Sequence, residues 1–177
     1  MKKLLTIIPL VFLLCFTFAC QDKEAMAELE AMKAQAEVEE QNIALIKQHY
    51  EAWFSGDVET IKEIYSPDYV YHSASQDFSK EQTIEWIKPQ MEAWSDRTYS
   101  MEDIFAKGDK VVSRYIFKGT YEGDYQGIPA TGKKVEHTGI EIWQVENGKI
   151  VESWEEWDYL GQSLQLGMEL KPKEGEK

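Results

Sequence analysis

Cysteine is nearly absent from this chain: of 177 residues only Cys15 and Cys20 carry a thiol, both within or at the end of an N-terminal apolar run. The body that follows therefore has no intramolecular disulfide, and its fold rests on the core alone. Histidine is scarce too, with His49, His72 and His137 scattered along the chain without H-x-x-x-H spacing or cysteine partners. That pattern argues against a bound metal. No glycine-rich phosphate loop follows a strand and no serine sits in a nucleophile elbow, so nucleotide use and acyl-enzyme chemistry are not expected, and no cofactor is. Basic residues are in the minority, 19 Lys and Arg against 32 Asp and Glu, giving a formal net charge of -13. Nucleic acid and anionic membrane surfaces are repelled by such a chain, while neutral or cationic small molecules stay open.

Apolar residues are plentiful: 43% of the sequence is hydrophobic and 12% aromatic, enough to fill the core of one ordinary domain. The N-terminus reads as an export signal over residues 1–19. Lys2 and Lys3 precede an apolar run from Leu4 to Phe18, and Ala19 and Cys20 mark a cleavage point. The run is too short for a comfortable membrane span. Cys20 resembles the lipidated cysteine of bacterial lipoproteins, and Gln21 after it favours the outer membrane under the usual sorting rule. Contact with a membrane is then through the lipid anchor alone. The alternative is cleavage after Ala19 and a secreted or periplasmic soluble protein. Residues 20–41 form a tether and helical spacer rich in Glu, Ala, Lys, Met and Gln. The domain is placed at 42–168, and 169–177 is a flexible charged tail.

Within the domain, Asn42 is expected to cap a helix carrying Ile43, Ile46, Tyr50, Trp53 and Phe54, ended by Ser55 and Gly56. Asp57 caps the next helix, which Ser66 and Pro67 stop. Tyr69 to His72 reads as a short strand. Ser79 with Gln82 makes a capping box for a third helix, and Pro89 shortens or kinks it. After Asp96 the period becomes alternating, and four strands follow: Thr98 to Ala106, Val111 to Tyr121, Lys134 to Val145, and Lys149 to Tyr159. Gly108-Asp109 and Asn147-Gly148 are hairpin-type turn residues. A short helix from Leu160 to Gly167 closes the domain. Helices followed by an antiparallel sheet predict an α+β fold with the helices on one sheet face.

Four stretches carry a more specific signal: the G-x-P-A-T-G-K loop (Gly127 to Lys133), the N-G-K-I turn (Asn147 to Ile150), the E-x-W-x-x-x-D strand (Glu152, Trp154, Asp158) and the Q-L-G helix end (Gln165 to Gly167). With weaker matches upstream, the segment from Asn42 to Met168 resembles the SnoaL-like polyketide cyclases, also called ester cyclases, of the nuclear transport factor 2-like superfamily. The resemblance implies a cone-shaped pocket between the helices and a curved, mainly antiparallel sheet, able to hold a small hydrophobic ligand. It also implies an acid/base role for Asp158 in an intramolecular aldol closure, and a histidine at the pocket mouth, here His72, as a second catalytic candidate that could polarise a carbonyl or share a proton with Asp158.

Strict alternation along the last strand sets Ile150, Glu152, Trp154, Glu156 and Asp158 on one face. Trp154 is thus expected in the pocket floor and Asp158 as its polar group, with its pKa raised by apolar neighbours. The bland alternative is that Asp158 caps the final helix. Ile150, Tyr115, Phe117, Trp143 and His137 are the other candidate ligand contacts. His137 faces either pocket or solvent, and His49 reads as a surface or packing residue. Lys133 and Lys134 look basic enough to attract an anion, although a solvated loop is their plainer role. Two functions compete: a cofactor-independent cyclase, isomerase or lyase acting on a carbonyl compound, and a non-catalytic ligand-binding or structural lipoprotein. A homodimer through the sheet face is a further possibility of the fold.

Overall fold

In a computed structural model of the chain, residues 4–73, 76–124, 127–169 and 171 are described, with side chains from residue 23 onward. The expected lipidation at Cys20 concerns a side chain outside those described, as does most of the expected tail. The chain divides into two compact units, residues 1–38 and 39–177. In the first, the described residues belong to helix α1 (Leu4–Ser55), and every side chain from Lys23 to Val38 is exposed.

The second unit holds the rest of α1 and then α2 (Val58–Ile64), β1 (Tyr65–His72), β2 (Asp77–Ser79), α3 (Lys80–Glu92), β3 (Trp94–Lys107), β4 (Lys110–Tyr121), β5 (Lys133–Glu146), β6 (Lys149–Trp157) and α4 (Tyr159–Leu166). The strands form one open sheet in the order β2-β1-β6-β5-β4-β3. Only the β1/β6 pair is parallel. Extra residues in β3 and β6 break the register, and such bulges bend and twist a strand, curving the sheet around the helices. This is the expected α+β architecture.

The local signals account for most of the boundaries. Asp57 accepts a hydrogen bond from Thr60 N and starts α2, and Ser79 with Gln82 forms a complete capping box on α3. Pro89 lies inside α3 without ending it. Asn147 and Gly148 both take positive φ, 51° and 71°, which suits the right-handed twist of the β5/β6 hairpin. The sheet's inner face is legible in β5, where Val135, His137, Gly139, Glu141, Trp143 and Val145 alternate with exposed neighbours.

Three expectations are corrected. Asn42 does not begin a helix. It lies inside α1, buried, and its Nδ2 donates to the Gly108 carbonyl at 3.0 Å, while Glu39 Oε1 accepts from Gly108 N at 2.8 Å. The helix-favouring sequence before it needs no break, so Asn42 serves the β3/β4 turn instead. Strand β1 begins at Tyr65 rather than Tyr69; Pro67 falls in the register break between Tyr65 and Val70, where no ladder donor is required. Strand β2, too short to show a period, pairs with β1 at the sheet edge.

The third correction concerns β6. Val145 pairs with Ile150 but Gln144 pairs with Glu152, so Val151 is an extra residue and the alternation changes phase there. Ile150 stays in the core, but beyond the bulge Ser153, Glu155 and Trp157 face inward. Glu152 and Trp154 turn to the outer face.

Candidate functional site

Between the sheet and the helices of the second unit lies a cavity of about 110 Å³. Its walls are mostly aromatic, including Tyr50, Trp86, Tyr99, Tyr115, Phe117 and Trp157. At its centre stand two acids. Glu141 of β5 and Glu155 of β6 are direct cross-strand partners, which sets their Cβ atoms about 5 Å apart on the inner face. Both carboxyls are pushed above the usual carboxylate range. For Glu141 burial is the main cause and the charge of Glu155 the second; for Glu155 burial dominates.

Phenols hold the pair. Tyr50 Oη donates to Glu141 Oε2 at 3.0 Å, Tyr71 Oη donates to Glu155 Oε2 at 3.3 Å, and Tyr115 Oη donates to Glu155 Oε1. Behind them, Tyr50 shares a hydrogen bond with Ser113 Oγ at 3.0 Å, and Trp143 Nε1 donates to the same oxygen at 3.2 Å. On the other side Tyr69 Oη and Ser153 Oγ are 2.7 Å apart, and Ser153 in turn hydrogen-bonds Glu141. Desolvation raises Tyr50, Tyr69, Tyr71 and Tyr115 above the ordinary phenol value, so they remain donors at neutral pH.

Among the described residues, three polar atoms at the cavity wall have no hydrogen-bond partner: Gln90 Oε1, Tyr99 Oη and His137 Nδ1. Unsatisfied buried groups are costly in a folded protein, and here they cluster around one cavity. The His137 ring stacks on Phe117, with centroids 4.8 Å apart, and burial pushes its pKa down to about 4. It is therefore neutral at physiological pH. His49, at the inner end, is likewise lowered to about 3 by burial.

Of the residues expected at the site, Tyr115, Phe117 and His137 line the cavity. Ile150 and Trp143 are fully buried beside it rather than in its wall; the Trp143 ring packs on His49 and Tyr50. Trp154 is not the pocket floor, because the bulge at Val151 turns it outward. It is half-buried there, stacked on His72 at 4.8 Å, with Lys110 Nζ 4.7 Å above its ring. His72 pairs with Trp154 across β1/β6 and shares the same outer face, its Nδ1 2.9 Å from Asp77 Oδ1. Asp158 is exposed and does not line the cavity; its Oδ1 accepts from Gly161 N at 2.7 Å and caps α4. Its negative charge nevertheless reaches His137. Lys133 Nζ donates to the Leu166 carbonyl at 3.1 Å, tying the loop to α4.

Glu141 and Glu155 are the chemical groups that sequence reasoning passed over. For Glu141 a signal existed: it is an acid in the inward phase of β5 between Gly139 and Trp143. For Glu155 none did, because I-V-E-S-W-E-E-W alternates plausibly in either phase and the bulge alone decides.

The SnoaL-like polyketide cyclase model matches residues 43–166. Among solved structures, IdmH of Streptomyces antibioticus, a candidate polyketide cyclase, is 30% identical, with a TM-score of 0.65 over 72% of this chain and 99% of its own. AclR of Streptomyces galilaeus, a candidate hydroxylase, is 26% identical, with a TM-score of 0.67 over 75% of this chain and 97% of its own. An epoxide hydrolase of M. tuberculosis shares the fold at 15% identity, with a TM-score of 0.59 over 72% and 90%. Among curated proteins no match is found. With an aromatic-walled cavity and a family match spanning most of its length, the chain belongs to the SnoaL-like polyketide cyclase family.

Proposed function

We propose that the protein binds a small apolar carbonyl compound in the cone and moves protons on it without a cofactor, as a cyclase or isomerase does. The observation that carries this is the facing pair Glu141 and Glu155 inside an aromatic cavity. Two carboxyls facing each other away from water titrate as a pair, one holding its proton while the other ionises, and in this reading the ionised member is Glu155, which two phenols hold. The ionised Glu155 takes a proton from the carbon beside the carbonyl. Glu141 gives its proton to the carbonyl oxygen, leaving a neutral enol. As the enol carbon attacks a second carbonyl carbon, or takes the proton now on Glu155 at another carbon, its O–H proton returns to Glu141, and in the first case Glu155 protonates the new alkoxide. Tyr71 and Tyr115 hold the Glu155 carboxylate in place, and the aromatic walls exclude water.

The test is exchange of α-hydrogens of phenylacetone in D₂O, followed by NMR. Wild type accelerates exchange over buffer, and Glu155→Gln reduces the enzymatic rate by about 100-fold or more, the usual weight of a general base. Phenylacetone bound in the cavity without accelerated exchange turns the reading into non-catalytic ligand binding.

A second reading gives the proton transfer to Asp158, supported by its charge acting on His137, which does line the cavity. In that reading the ring relays between carboxylate and ligand, and His72 has no part. Beyond the site, we propose that Cys20 is lipidated and holds the protein at the outer membrane, on the strength of the apolar run ending in Ala19-Cys20 with Gln21 after it. Mass spectrometry of the mature N-terminus decides between a diacylglyceryl cysteine and a free one.

A further inference from the structure

The cavity holds two carboxyls among many π-faces. Glu141 and Glu155 face each other in its wall; among the described residues Gln90 Oε1, Tyr99 Oη and His137 Nδ1 have no hydrogen-bond partner there, and none of those lining it is Lys or Arg. His137 is 8% exposed, so its unpartnered nitrogen is a well-buried group at the cavity surface. Of the phenols, Tyr50, Tyr71 and Tyr115 already donate to the carboxyls, while Tyr99 Oη keeps its donor for a ligand. An anion meets like charge in this desolvated site.

We infer that the cone selects a ligand carrying a protonated amine on a small aromatic or alkyl frame, its ammonium seated between Glu141 and Glu155. An ammonium supplies up to three donors and no acceptor, which suits two facing carboxyls. Its charge offsets the cost of keeping a carboxylate out of water. Aromatic rings surround the pair, among them Tyr50, Tyr99 and Tyr115, and a ring face open to the cavity adds cation–π attraction, which strengthens once the cation is desolvated. The net charge of -13 draws a cation toward the molecule at low salt. The inference needs only the cavity of the proposed function, not its chemistry.

Three probes of nearly one shape separate charge from fit: benzylammonium, benzyl alcohol and benzoate. Their dissociation constants are measured by calorimetry on the whole protein at pH 7.5, with salt on the order of 0.3 M so that surface attraction is screened. Benzylammonium is expected to bind about tenfold or more tighter than benzyl alcohol, with benzoate weakest. In the double variant Glu141→Gln, Glu155→Gln the preference for the ammonium disappears while benzyl alcohol still binds. Each single variant, checked for folding by circular dichroism, shows a partial loss and stands in if the double variant does not fold. Equal binding of the ammonium and the alcohol by wild type, or an ammonium preference that survives in the variants, overturns the inference. Failure of phenylacetone exchange leaves it intact, whereas exchange without an ammonium preference removes it alone.

Discussion

Glu141 and Glu155 face each other across neighbouring antiparallel strands inside an aromatic cavity, an arrangement that works against stability. Like charges directly opposite in a sheet are unfavourable, and burial adds to the penalty. Neutralising one acid without changing its shape is therefore expected to stabilise the fold while removing chemistry. Glu141→Gln should raise stability by about 1–2 kcal/mol at pH 8, the range typical of relieving a functional site. Thermal or urea unfolding reads it directly. A variant less stable than wild type at pH 8 would mean that the ionised pair is held by its tyrosines more strongly than burial penalises it.

The same pair sets a pH dependence whose sign follows from proton binding. Both glutamates are raised above 4.5, so between that value and their folded pKa the native state holds more protons than the unfolded chain, and stability falls as pH rises. His49 and His137 act the other way. Lowered from 6.5 to about 3 and about 4, they stay neutral in the native state while the unfolded chain takes up protons, so stability falls as pH drops below 6.5. The melting temperature should peak in mildly acidic buffer and decline toward pH 8. In Glu141→Gln, Glu155→Gln the decline on the alkaline side should flatten while the acid side is kept. An unchanged alkaline slope in that variant would assign it to other groups.

Much of this fold is legible in the sequence because its signals are local. The caps at Asp57 and Ser79 with Gln82, the Asn147-Gly148 turn and the change of period near Asp96 each act within a few residues. What the sequence hides is set by partners far along the chain. Asn42 looks like a helix start until Gly108 supplies the carbonyl that its amide serves. The bulge at Val151 exists only in relation to Gln144 and Val145, and it moves Trp154 out and Glu155 in. An odd number of extra residues in one strand reverses every assignment beyond it, which is why Trp154 and Glu155 changed places while Ile150, before the bulge, stayed inside.

Asp158 separates two roles by chemistry. Its Oδ1 caps α4 through Gly161 N, and asparagine caps about as well as aspartate. Asp158→Asn should keep the melting temperature, whereas Asp158→Ala should cost about 1 kcal/mol. If Asp158 is also the acid/base, Asp158→Asn abolishes phenylacetone exchange at unchanged stability. If exchange survives in Asp158→Asn and is lost in Glu155→Gln, the chemistry belongs to the facing pair.

Gly139 tests whether the cavity's shape depends on one missing methyl group. It pairs with Tyr115 across β4 and β5, and the phenol occupies the place a side chain would take, so that an added Cβ would come within 2.6 Å of Cε1 and closer still to the hydroxyl end. That is far inside contact distance, and the ring must swing away. Since Tyr115 Oη donates to Glu155, the swing removes one of the two phenols that hold this carboxyl and pushes a ring into the ligand space. Gly139→Ala should therefore cost about 1–3 kcal/mol, as overpacking does, and weaken binding of the probe ligands. A double-mutant cycle isolates the cause. In a Tyr115→Leu background the shorter side chain leaves room for the methyl group, so Gly139→Ala should cost much less there than in wild type. Equal costs in the two backgrounds would show that the glycine serves the strand's backbone rather than the ring above it.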